Sequence, residues 1–251
     1  METLVKGAYV KTKTVTHDNG ESLTWEFNRL VASGSNIPQE VTITNPDKGI
    51  TKYQFAGVAS TIKPSKIEEF AADGTTKIHE QRRFWANSSW LSKEIVSVFG
   101  NSGNKSAITT YNRDDNGNLL EKTEYDWVSY GTVNGSTIRR RTTYNYYIPS
   151  GTKYSDPFST SSIWVANGPR RVNAVQRITV YEGSTAKAAT EYVYDYAYTK
   201  GNVLYERRWD TVKTNNNVPP PLGNLNSSNS QEFHYSYDQY GNVIKIIEPL
   251  S

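Results

Sequence analysis

The stretch from Asn112 to Thr123 has the spacing that comes nearest to a metal-binding loop. Positions 1, 3, 5, 6 and 8 of a calcium loop would be Asn112, Asp114, Asn116, Gly117 and Leu119. Position 12, where such a loop needs a bidentate Glu, is Thr123. Because the flanking residues have strand patterns rather than helix patterns, the spacing favours a long hairpin turn over a cation near Asp114. No metal-ligating residue is assigned.

Catalytic residues leave no local pattern in this sequence. The three histidines, His17, His79 and His234, each lack a second histidine or a carboxylate at metal-ligand spacing. Adjacent acids such as Glu68-Glu69 point to opposite faces of a strand, which makes them poor acid-base pairs. No nucleophile elbow, zinc-protease or phosphate-loop motif occurs. The sequence predicts a protein that is not an enzyme, without catalytic residues or cofactors, and a triad assembled from distant residues is the enzymatic alternative.

Charge and composition exclude several classes of partner. Lys and Arg number 28 against 25 Asp and Glu, so the net charge of +3 gives no nucleic-acid footprint. The basic clusters are short and interleaved with acids, which favours cross-strand ion pairs. The absence of cysteine excludes disulfides, and no apolar run is long enough for a membrane span. The first residues lack the apolar core of a signal peptide, and we expect the chain to be a piece of a longer protein.

Aromatic residues carry most of the apolar surface. Hydrophobic residues amount to 36%, whereas aromatics reach 12%, with 18 Tyr and 6 Trp. Large amphipathic rings suit a broad sheet with two partly hydrated faces better than a thick aliphatic core. The candidates for a sugar-stacking or protein-binding face are Tyr130, Tyr144, Tyr146, Tyr147 and Trp164. The favoured alternative is that these rings stack on one another along the sheet.

The hydrophobic pattern has a period of two residues, which predicts strands. Gln39–Thr44 and Glu232–Tyr237 alternate in this way, and Val175–Tyr181 is rich in β-branched and aromatic residues. Turn residues rich in Gly, Asn and Asp separate such runs. The segment 214–230, with three consecutive prolines, predicts an inserted Pro/Asn-rich loop, and 150–169 predicts a second loop. The sequence therefore predicts an all-β fold of consecutive antiparallel hairpins in a long curved or winding sheet, with residues 1–251 as one β-repeat region.

Three of the predicted corners share one pattern: an aromatic strand, a turn, a Gly-Asn pair and two aliphatic residues. They are defined by Tyr111, Asn112, Gly117 and Asn118, by Tyr194, Asp195, Gly201 and Asn202, and by Tyr237, Asp238, Gly241 and Asn242. The Gly-Asn pairs lie 84 and 40 residues apart, near multiples of a hairpin unit of about twenty residues. The Asp can cap the turn and the Gly can take its left-handed position. Because one hairpin cannot bury its own face, consecutive units are expected to pair edge to edge.

The segment from Tyr237 to Val243 resembles the YD repeat of bacterial Rhs proteins, which reads Tyr-Asp-x-x-Gly-Asn or -Arg before an aliphatic residue. The same repeat occurs in the cocoon subunits of insecticidal Tc toxin complexes and in teneurins. The other two copies depart from it, with Asn112 in place of Asp and with four and five residues before the glycine. The resemblance implies a β-strip that winds into a hollow shell around a C-terminal toxin or forms part of an adhesion ectodomain. Because Asp156-Pro157 lacks the context of the family's self-cleaving motif, no catalytic residue is carried over.

Together with these features, the resemblance implies a non-catalytic structural segment of a Rhs-type β-shell that encapsulates or displays a toxin or an adhesion element, in a bacterial protein that is secreted or at the cell surface. The expected partners are neighbouring YD repeats of the same or a longer chain, with an enclosed toxin domain or a glycan as further candidates. Free sheet edges are expected to promote edge-to-edge self-association. The alternative is a β module that binds glycans or proteins through exposed aromatic residues. The sequence leaves open what is enclosed or bound, the organism and the oligomeric state.

Overall fold

A computed structural model of the chain describes residues 10–31, 38–57, 62–86, 90–132, 137–147, 174–194, 202–214 and 218–249. Four of the sequence predictions lie outside these ranges: the 150–169 loop, Trp164, Asp195 and Gly201. The other predicted site residues lie within the described ranges and can be placed on strands or turns.

The described residues form sixteen β-strands and one short helix. The strands are β1 (Thr12–Thr16), β2 (Ser22–Val31), β3 (Pro38–Thr44), β4 (Ile50–Ala56), β5 (Lys63–Phe70), β6 (Lys77–Ala86), β7 (Trp90–Val98), β8 (Lys105–Arg113), β9 (Leu119–Tyr125), β10 (Val128–Ser129), β11 (Ile138–Tyr146), β12 (Val175–Glu182), β13 (Thr185–Tyr194), β14 (Val203–Trp209), β15 (Ser230–Tyr237) and β16 (Val243–Ile247). The helix, α1, spans Thr211–Thr214. The predicted all-β fold class is confirmed.

The strands follow one another in the sheet almost in chain order. The order runs from β1 to β9, then β11 to β16, and the two-residue β10 pairs with the start of β8. The sheet is antiparallel and is not closed, so consecutive hairpins lie side by side as predicted. Among the described strands, β1 and β16 each have one neighbour, and their outer edges therefore carry backbone groups outside the ladder.

The chain separates into two compact units. The first unit comprises residues 1–110 and 125–137, and the second comprises residues 111–124 and 138–251. In the second unit, α1 and residues 218–229 stand between β14 and β15, and residues 218–229 contain turns but no strand. That both units belong to one repeat region stays a prediction.

The sheet buries few aliphatic side chains. Among the described residues, the buried hydrophobic ones are Ile95, Ile108, Ala189 and Leu225. Most strand residues are half-buried, and basic side chains lie across many of the aromatic rings. The ammonium of Lys93 lies 4.3 Å from the ring centre of Phe84, and the guanidinium of Arg208 lies 4.3 Å from that of Phe233. The long stems of these residues cover the rings while their charges stay hydrated, which agrees with the predicted sheet of two partly wet faces.

A shift in strand register occurs in eight strand pairs of the described chain. In each, one residue near the start of the later strand is left without a partner. The residues that follow the eight shifts are Val31, Phe55, Phe70, Trp85, Tyr146, Tyr181, Tyr194 and Tyr237. A bulge of this kind bends the strand and increases its twist. These residues are unevenly spaced, from 13 residues between Tyr181 and Tyr194 to 61 between Trp85 and Tyr146, so they do not show the fixed period of about twenty residues expected from the sequence.

No helix among the described residues is long and apolar enough to cross a membrane. The single short helix, Thr211–Thr214, is only one turn long.

Candidate functional site

The corner that matches the YD pattern lies between β15 and β16. The N–H of Asp238 donates to the Asn242 carbonyl at 3.0 Å, and the N–H of Gly241 donates to the Asp238 carbonyl at 3.1 Å. The Asp238 carboxylate accepts hydrogen bonds from the backbone N–H of Tyr240 and from both the backbone and the side-chain amide of Asn242, at 2.8 to 2.9 Å. The bonds from Asn242 are the main cause of a lowered pKa for Asp238. Gly241 has a φ of +88°, which disfavours any residue with a side chain.

The corner between β8 and β9 has the same hydrogen bonds, with Asp114 in the capping position. Its carboxylate accepts from the backbone N–H groups of Asn116 and Asn118 and from the Asn118 side-chain amide, each at 2.9 Å. Gly117 has a φ of +85°, and its N–H donates to the Asp114 carbonyl at 3.0 Å. The two corners therefore share the sequence Asp-x-x-Gly-Asn and one geometry.

This geometry differs from the alignment made on sequence. The predicted first copy used Tyr111 and Asn112, but Asn112 is an exposed residue of β8 and the turn is capped two residues later. The sequence pattern pairs Tyr111 with Tyr237, whereas the geometry that the two corners share depends on the distance from the capping carboxylate to the glycine. Arg113 thus occupies the place before the capping Asp, and its guanidinium donates to the Gly117 carbonyl at 2.8 Å. The carboxylate compared with a calcium ligand, that of Asp114, is used by the amides of its own turn.

We expect Asp114→Ala to lower the free energy of unfolding by about 1–3 kcal/mol, because it leaves the buried Asn118 amide without its acceptor. The matched control is Asp115→Ala, since Asp115 is the exposed neighbour in the same turn. Its effect should stay below about 0.5 kcal/mol. Urea denaturation of the two variants measures both values, and equal losses would contradict a capping role for Asp114.

Three tyrosines of the second unit hold neighbouring strands together in the same way. The hydroxyl of Tyr146 donates to the Leu119 carbonyl at 3.0 Å, the hydroxyl of Tyr194 to that of Val175 at 2.8 Å, and the hydroxyl of Tyr237 to that of Val203 at 2.7 Å. Each tyrosine is the last residue of its strand, and each acceptor is the first residue of the strand that precedes it in the sheet. We call this contact the tyrosine latch. It fixes both the register and the spacing of two adjacent strands.

In the described part of the first unit, a different residue makes an equivalent contact. The indole N–H of Trp85, near the end of β6, donates to the Pro64 carbonyl near the start of β5 at 3.2 Å. Trp85 also follows a register shift, as the three latch tyrosines do. The latch therefore depends on an aromatic donor of sufficient length at this position rather than on tyrosine alone.

The alternating aromatics of the second unit share one face of their sheet. Register and alternation place Tyr144, Tyr192 and Tyr235 on the same face as the latch tyrosines. All of these rings are half-buried. Burial raises the pKa of Tyr192 and Tyr235, and it raises the pKa of Tyr194 to about 12. The tyrosines are thus packed into the sheet as neutral phenols.

We expect stability to fall between pH 10 and about 12. The pKa of Tyr194 is about 12 in the folded chain and near 10 when the residue is hydrated, so above pH 10 the unfolded chain loses this proton first. The contribution is intact below pH 10 and is lost as the pH rises, by up to about 2 kcal/mol. Tyr194→Phe should make the alkaline decline shallower, whereas Tyr240→Phe, at an 80% exposed position, should not. Thermal melting between pH 8 and 12 tests this, and parallel curves for all three proteins would contradict it.

Three of the predicted binding aromatics are engaged in contacts within their own unit. Tyr130 belongs to the first unit, where its ring centre lies 4.9 Å from that of Phe99, and Trp164 lies outside the described residues. In the second unit, the Tyr146 hydroxyl is engaged in a latch and the Tyr147 ring meets that of Tyr194 edge-on at 5.7 Å. These contacts favour the alternative that the rings pack along the sheet.

A buried pair of facing carboxylates lies on the first unit. Glu68 of β5 and Glu80 of β6 are directly opposite each other, and Glu80 is only 1% exposed. Lys77 bonds to both carboxylates, lying 2.8 Å from Glu80 Oε2, and Arg82 Nε lies 2.6 Å from Glu80 Oε1. Lys66 Nζ completes the group, 2.8 Å from Glu68 Oε1. We call these five residues the Glu80 cluster.

Two facing carboxylates are what a glycoside hydrolase uses, so their ionisation decides whether they can do chemistry. Burial opposes the ionisation of Glu80, but the hydrogen bonds from Lys77 and Arg82 outweigh it and lower the pKa. The same balance, with Lys66 and Lys77, lowers the pKa of Glu68. A general acid near neutral pH needs a raised pKa. The cluster is therefore suited to holding strands together and unsuited to proton transfer.

The second unit has a row of alternating charges on the face opposite the tyrosines. Arg177, Glu191, Arg207 and Glu232 stand opposite one another across four adjacent strands. Arg177 and Glu191 are each 5% exposed, and Arg177 Nη1 lies 2.9 Å from Glu191 Oε1. Arg207 pairs with Glu232 at the next two positions. Each charge in the row thus has an opposite charge beside it on the neighbouring strand.

The proline segment covers the buried half of this row. Arg177 Nη1 donates to the Pro220 carbonyl at 2.8 Å, and the Gly223 N–H donates to Glu191 Oε1 at 2.9 Å. Leu225, 1% exposed, anchors the same segment, and its carbonyl accepts a hydrogen bond from Arg207. We call residues 218–225 the proline strap. The predicted loop is thus folded against the sheet at this point.

A cleft of about 500 Å³ lies between the strap and the β12–β13 hairpin. Its lining includes Arg177, Thr179, Tyr181, Ser184, Pro219 and Leu222. Arg141 covers the Tyr181 ring, with its guanidinium carbon 4.5 Å from the ring centre. Because Arg177 is neutralised by Glu191, the cleft presents hydroxyls and apolar surface more than free charge.

The histidines do not form a site. His79 and His234 have carboxylate neighbours, Glu69 and Glu232, and His17 is exposed. In the part of the chain that the structure describes, no three His, Asp or Glu side chains are grouped so as to hold a metal ion. A catalytic arrangement of nucleophile and base does not emerge from these positions.

Sequence reasoning missed the Glu80 cluster and the Arg177–Glu191 pair. Both consist of residues at alternating positions on strands, where charged side chains normally face water. A usable signal was present: Arg177 and Glu191 fall at opposing places of two adjacent strands joined by a tight turn at Gly183. Cross-strand register, once assigned, would have paired them.

Comparison with known proteins gives limited information. No protein-family model matches the sequence, and no curated protein matches it. Among solved structures, a porin-like protein from Bacteroides uniformis matches 94% of this chain and 85% of its own, at 8% identity and a TM-score of 0.32. A similarity of that size assigns neither a family nor a function.

Proposed function

We propose that this chain is a non-catalytic wall segment of a YD-repeat shell, which encloses or displays another part of a larger protein. The observation that carries the proposal is the combination of a latch and a corner in one unit. Tyr237 latches β15 to β14, and the next residue, Asp238, caps the turn to β16. Tyr194 repeats the latch one unit earlier.

The chemistry of the buried groups also supports a structural role. The carboxylates of Glu80 and Glu191 are buried, and both are held by basic side chains rather than left available for a substrate. The latches bond phenol to backbone, so each unit adds a fixed contact to the next without forming a thick core. A wall one layer deep can be built in this way from many similar units.

The test uses the full open reading frame in which this segment occurs. A shell segment predicts further Tyr-Asp-x-x-Gly copies on the same chain, and protection of an adjoining domain from added protease. The control is the adjoining domain expressed without the repeats, which should be digested quickly. An open reading frame without further copies, or equal digestion with and without the repeats, would overturn the proposal.

A binding module is the second candidate, because of the cleft beside the proline strap. Tyr181 and the hydroxyls of Thr179 and Ser184 offer an aromatic surface and neutral hydrogen-bonding groups, which suit a neutral saccharide. A glycan array probed with the intact chain tests this. Signals abolished by Tyr181→Ala and kept by Tyr130→Ala would favour this function, and the absence of any signal would remove it.

A further inference from the structure

The last described strand, β16, presents an unusually apolar edge. Val243, Ile244, Ile246 and Ile247 are 50%, 66%, 54% and 48% exposed, respectively. Natural sheets protect edges with charged or polar side chains, because an apolar edge readily recruits another strand. The opposite edge strand, β1, has the sequence Thr-Lys-Thr-Val-Thr; each edge strand has one lysine, but β1 has polar threonines where β16 has aliphatic residues. The two edges of the sheet are therefore chemically different.

We infer that β16 accepts a further strand of the same kind as β15, one that ends in tyrosine followed by an Asp-x-x-Gly-Asn corner. This inference depends on the proposed function and identifies the partner of its repeat. The partner is an extended hairpin strand with alternating aromatic residues, carried by another part of the same larger protein.

The latch geometry specifies where the incoming tyrosine would bind. In the second unit, the latch acceptors Leu119, Val175 and Val203 are each the first residue of a strand, and the tyrosine comes from the next strand in the sheet. The first residue of β16 is Val243. Its carbonyl is therefore the acceptor that a following latch tyrosine would use.

The aromatic face gives a second, independent argument. Ile246 stands opposite Tyr235 in the β15–β16 register and lies on the face of the tyrosines. In the pairing of β14 with β15, Glu206 of that face meets Phe233 of the next strand. An incoming strand with rings at the same alternate positions would cover Ile246 in the way that β15 covers β14. The exposed aliphatic residues would then be buried on both faces.

The binding test uses the full chain and a labelled synthetic peptide with the sequence of residues 230–242. This segment already pairs with β14 in the manner inferred for the incoming strand. We expect saturable binding by fluorescence anisotropy. A peptide with phenylalanine in place of Tyr237 should bind about fivefold more weakly, because one hydrogen bond is lost. No binding of the tyrosine peptide below about 1 mM would overturn the inference.

Variants of the protein show where the peptide binds. Ile244→Lys and Ile246→Lys should each weaken binding about tenfold or more, since they place a charge in the apolar edge. The matched control is Leu30→Lys, at a 60% exposed position on β2, which should leave binding unchanged. Circular dichroism and thermal midpoints verify that all three variants are folded. Equal loss of binding in Leu30→Lys would overturn the inference that the peptide binds at β16. Equal affinity for the two peptides would overturn the inferred tyrosine latch.

The outcomes separate this inference from the proposed function. Further repeats in the open reading frame without peptide binding would retain the shell role and reject β16 as its growing edge. Peptide binding without further repeats would retain the edge and reject the shell role. A third outcome is that the chain forms dimers that dissociate in the Ile244→Lys variant but do not bind the peptide. That result would show that a second copy occupies the edge, and it would reject the inferred partner.

Discussion

Replacing Glu80 by alanine should lower the free energy of unfolding by about 2–4 kcal/mol. The change removes the carboxylate that Lys77 and Arg82 share and leaves Glu68 as the remaining carboxylate of the Glu80 cluster beside three cations. Loss of one partner from a fully buried ion pair costs about 3–5 kcal/mol, but the side chains of Lys66 and Lys77 are about a quarter exposed and can regain water. The expected loss is therefore somewhat smaller than for a fully buried pair.

The control for Glu80 is Glu69, on the neighbouring strand and the opposite face. Its side chain is 46% exposed and its nearest ionic neighbour is His79, at 3.7 Å. Glu69→Ala should change the free energy of unfolding by less than about 0.5 kcal/mol. Both variants can be measured by urea denaturation of the whole chain at pH 7. A Glu80→Ala variant as stable as Glu69→Ala would show that the cluster contributes nothing to the first unit.

Acid should weaken the same cluster. The pKa of Glu80 and that of Glu68 are lower in the folded chain than the ordinary value of 4.5. The stabilising contribution is therefore complete above pH 4.5 and is lost as the pH falls through the lower, folded value. The Glu80→Ala variant should lose less stability than the unmodified chain between pH 5 and about pH 2. This comparison distinguishes loss of an ion pair from simple loss of packing.

Much of the fold could be predicted from the sequence because it is local. The period of two along β3, β12 and β15 follows from side-chain alternation, and turn residues mark where hairpins reverse. The Asp238 corner was predicted for the same reason, since its carboxylate and the amides that it caps are within four residues. In the first corner the tyrosine pattern predicts Asn112 as the cap, whereas in the structure Asp114 caps the turn.

The rest could not be predicted because it depends on register between strands. Tyr146 donates to Leu119 across 27 residues, and Tyr237 donates to Val203 across 34. Nothing in the local sequence of a tyrosine indicates which carbonyl its hydroxyl will reach. The expected repeat of about twenty residues came from the spacing of the three Gly-Asn pairs. The loops between strands vary in length, so the strands do not keep that period. The proline strap shows the same limit, since its partners Arg177 and Glu191 lie 43 and 32 residues away.

The Arg177–Glu191 pair links the sheet of the second unit to its proline strap, and Arg177→Ala tests that link. The variant leaves the buried Glu191 carboxylate with the Gly223 N–H but without its ion-pair partner, since the neighbouring Arg207 is already paired with Glu232. We expect the free energy of unfolding to fall by about 3–5 kcal/mol, because an unpaired buried charge is among the costliest defects in a protein. The change also removes the hydrogen bond to the Pro220 carbonyl, so the strap should be cleaved faster by protease.

A matched control lies on the same hairpin. Lys187 and Glu182 form an ion pair at 3.9 Å with side chains 52% and 69% exposed, and Lys187→Ala should cost less than about 0.5 kcal/mol and leave the strap protected. Arg177→Lys keeps the charge but cannot bond Thr179, Glu191 and Pro220 together, so its stability should fall between the two alanine variants. Urea denaturation and limited proteolysis give the two measurements. If Arg177→Ala destabilised the fold without exposing the strap, the pair would support the sheet alone, and the strap would be held by Leu225 and Arg207 instead.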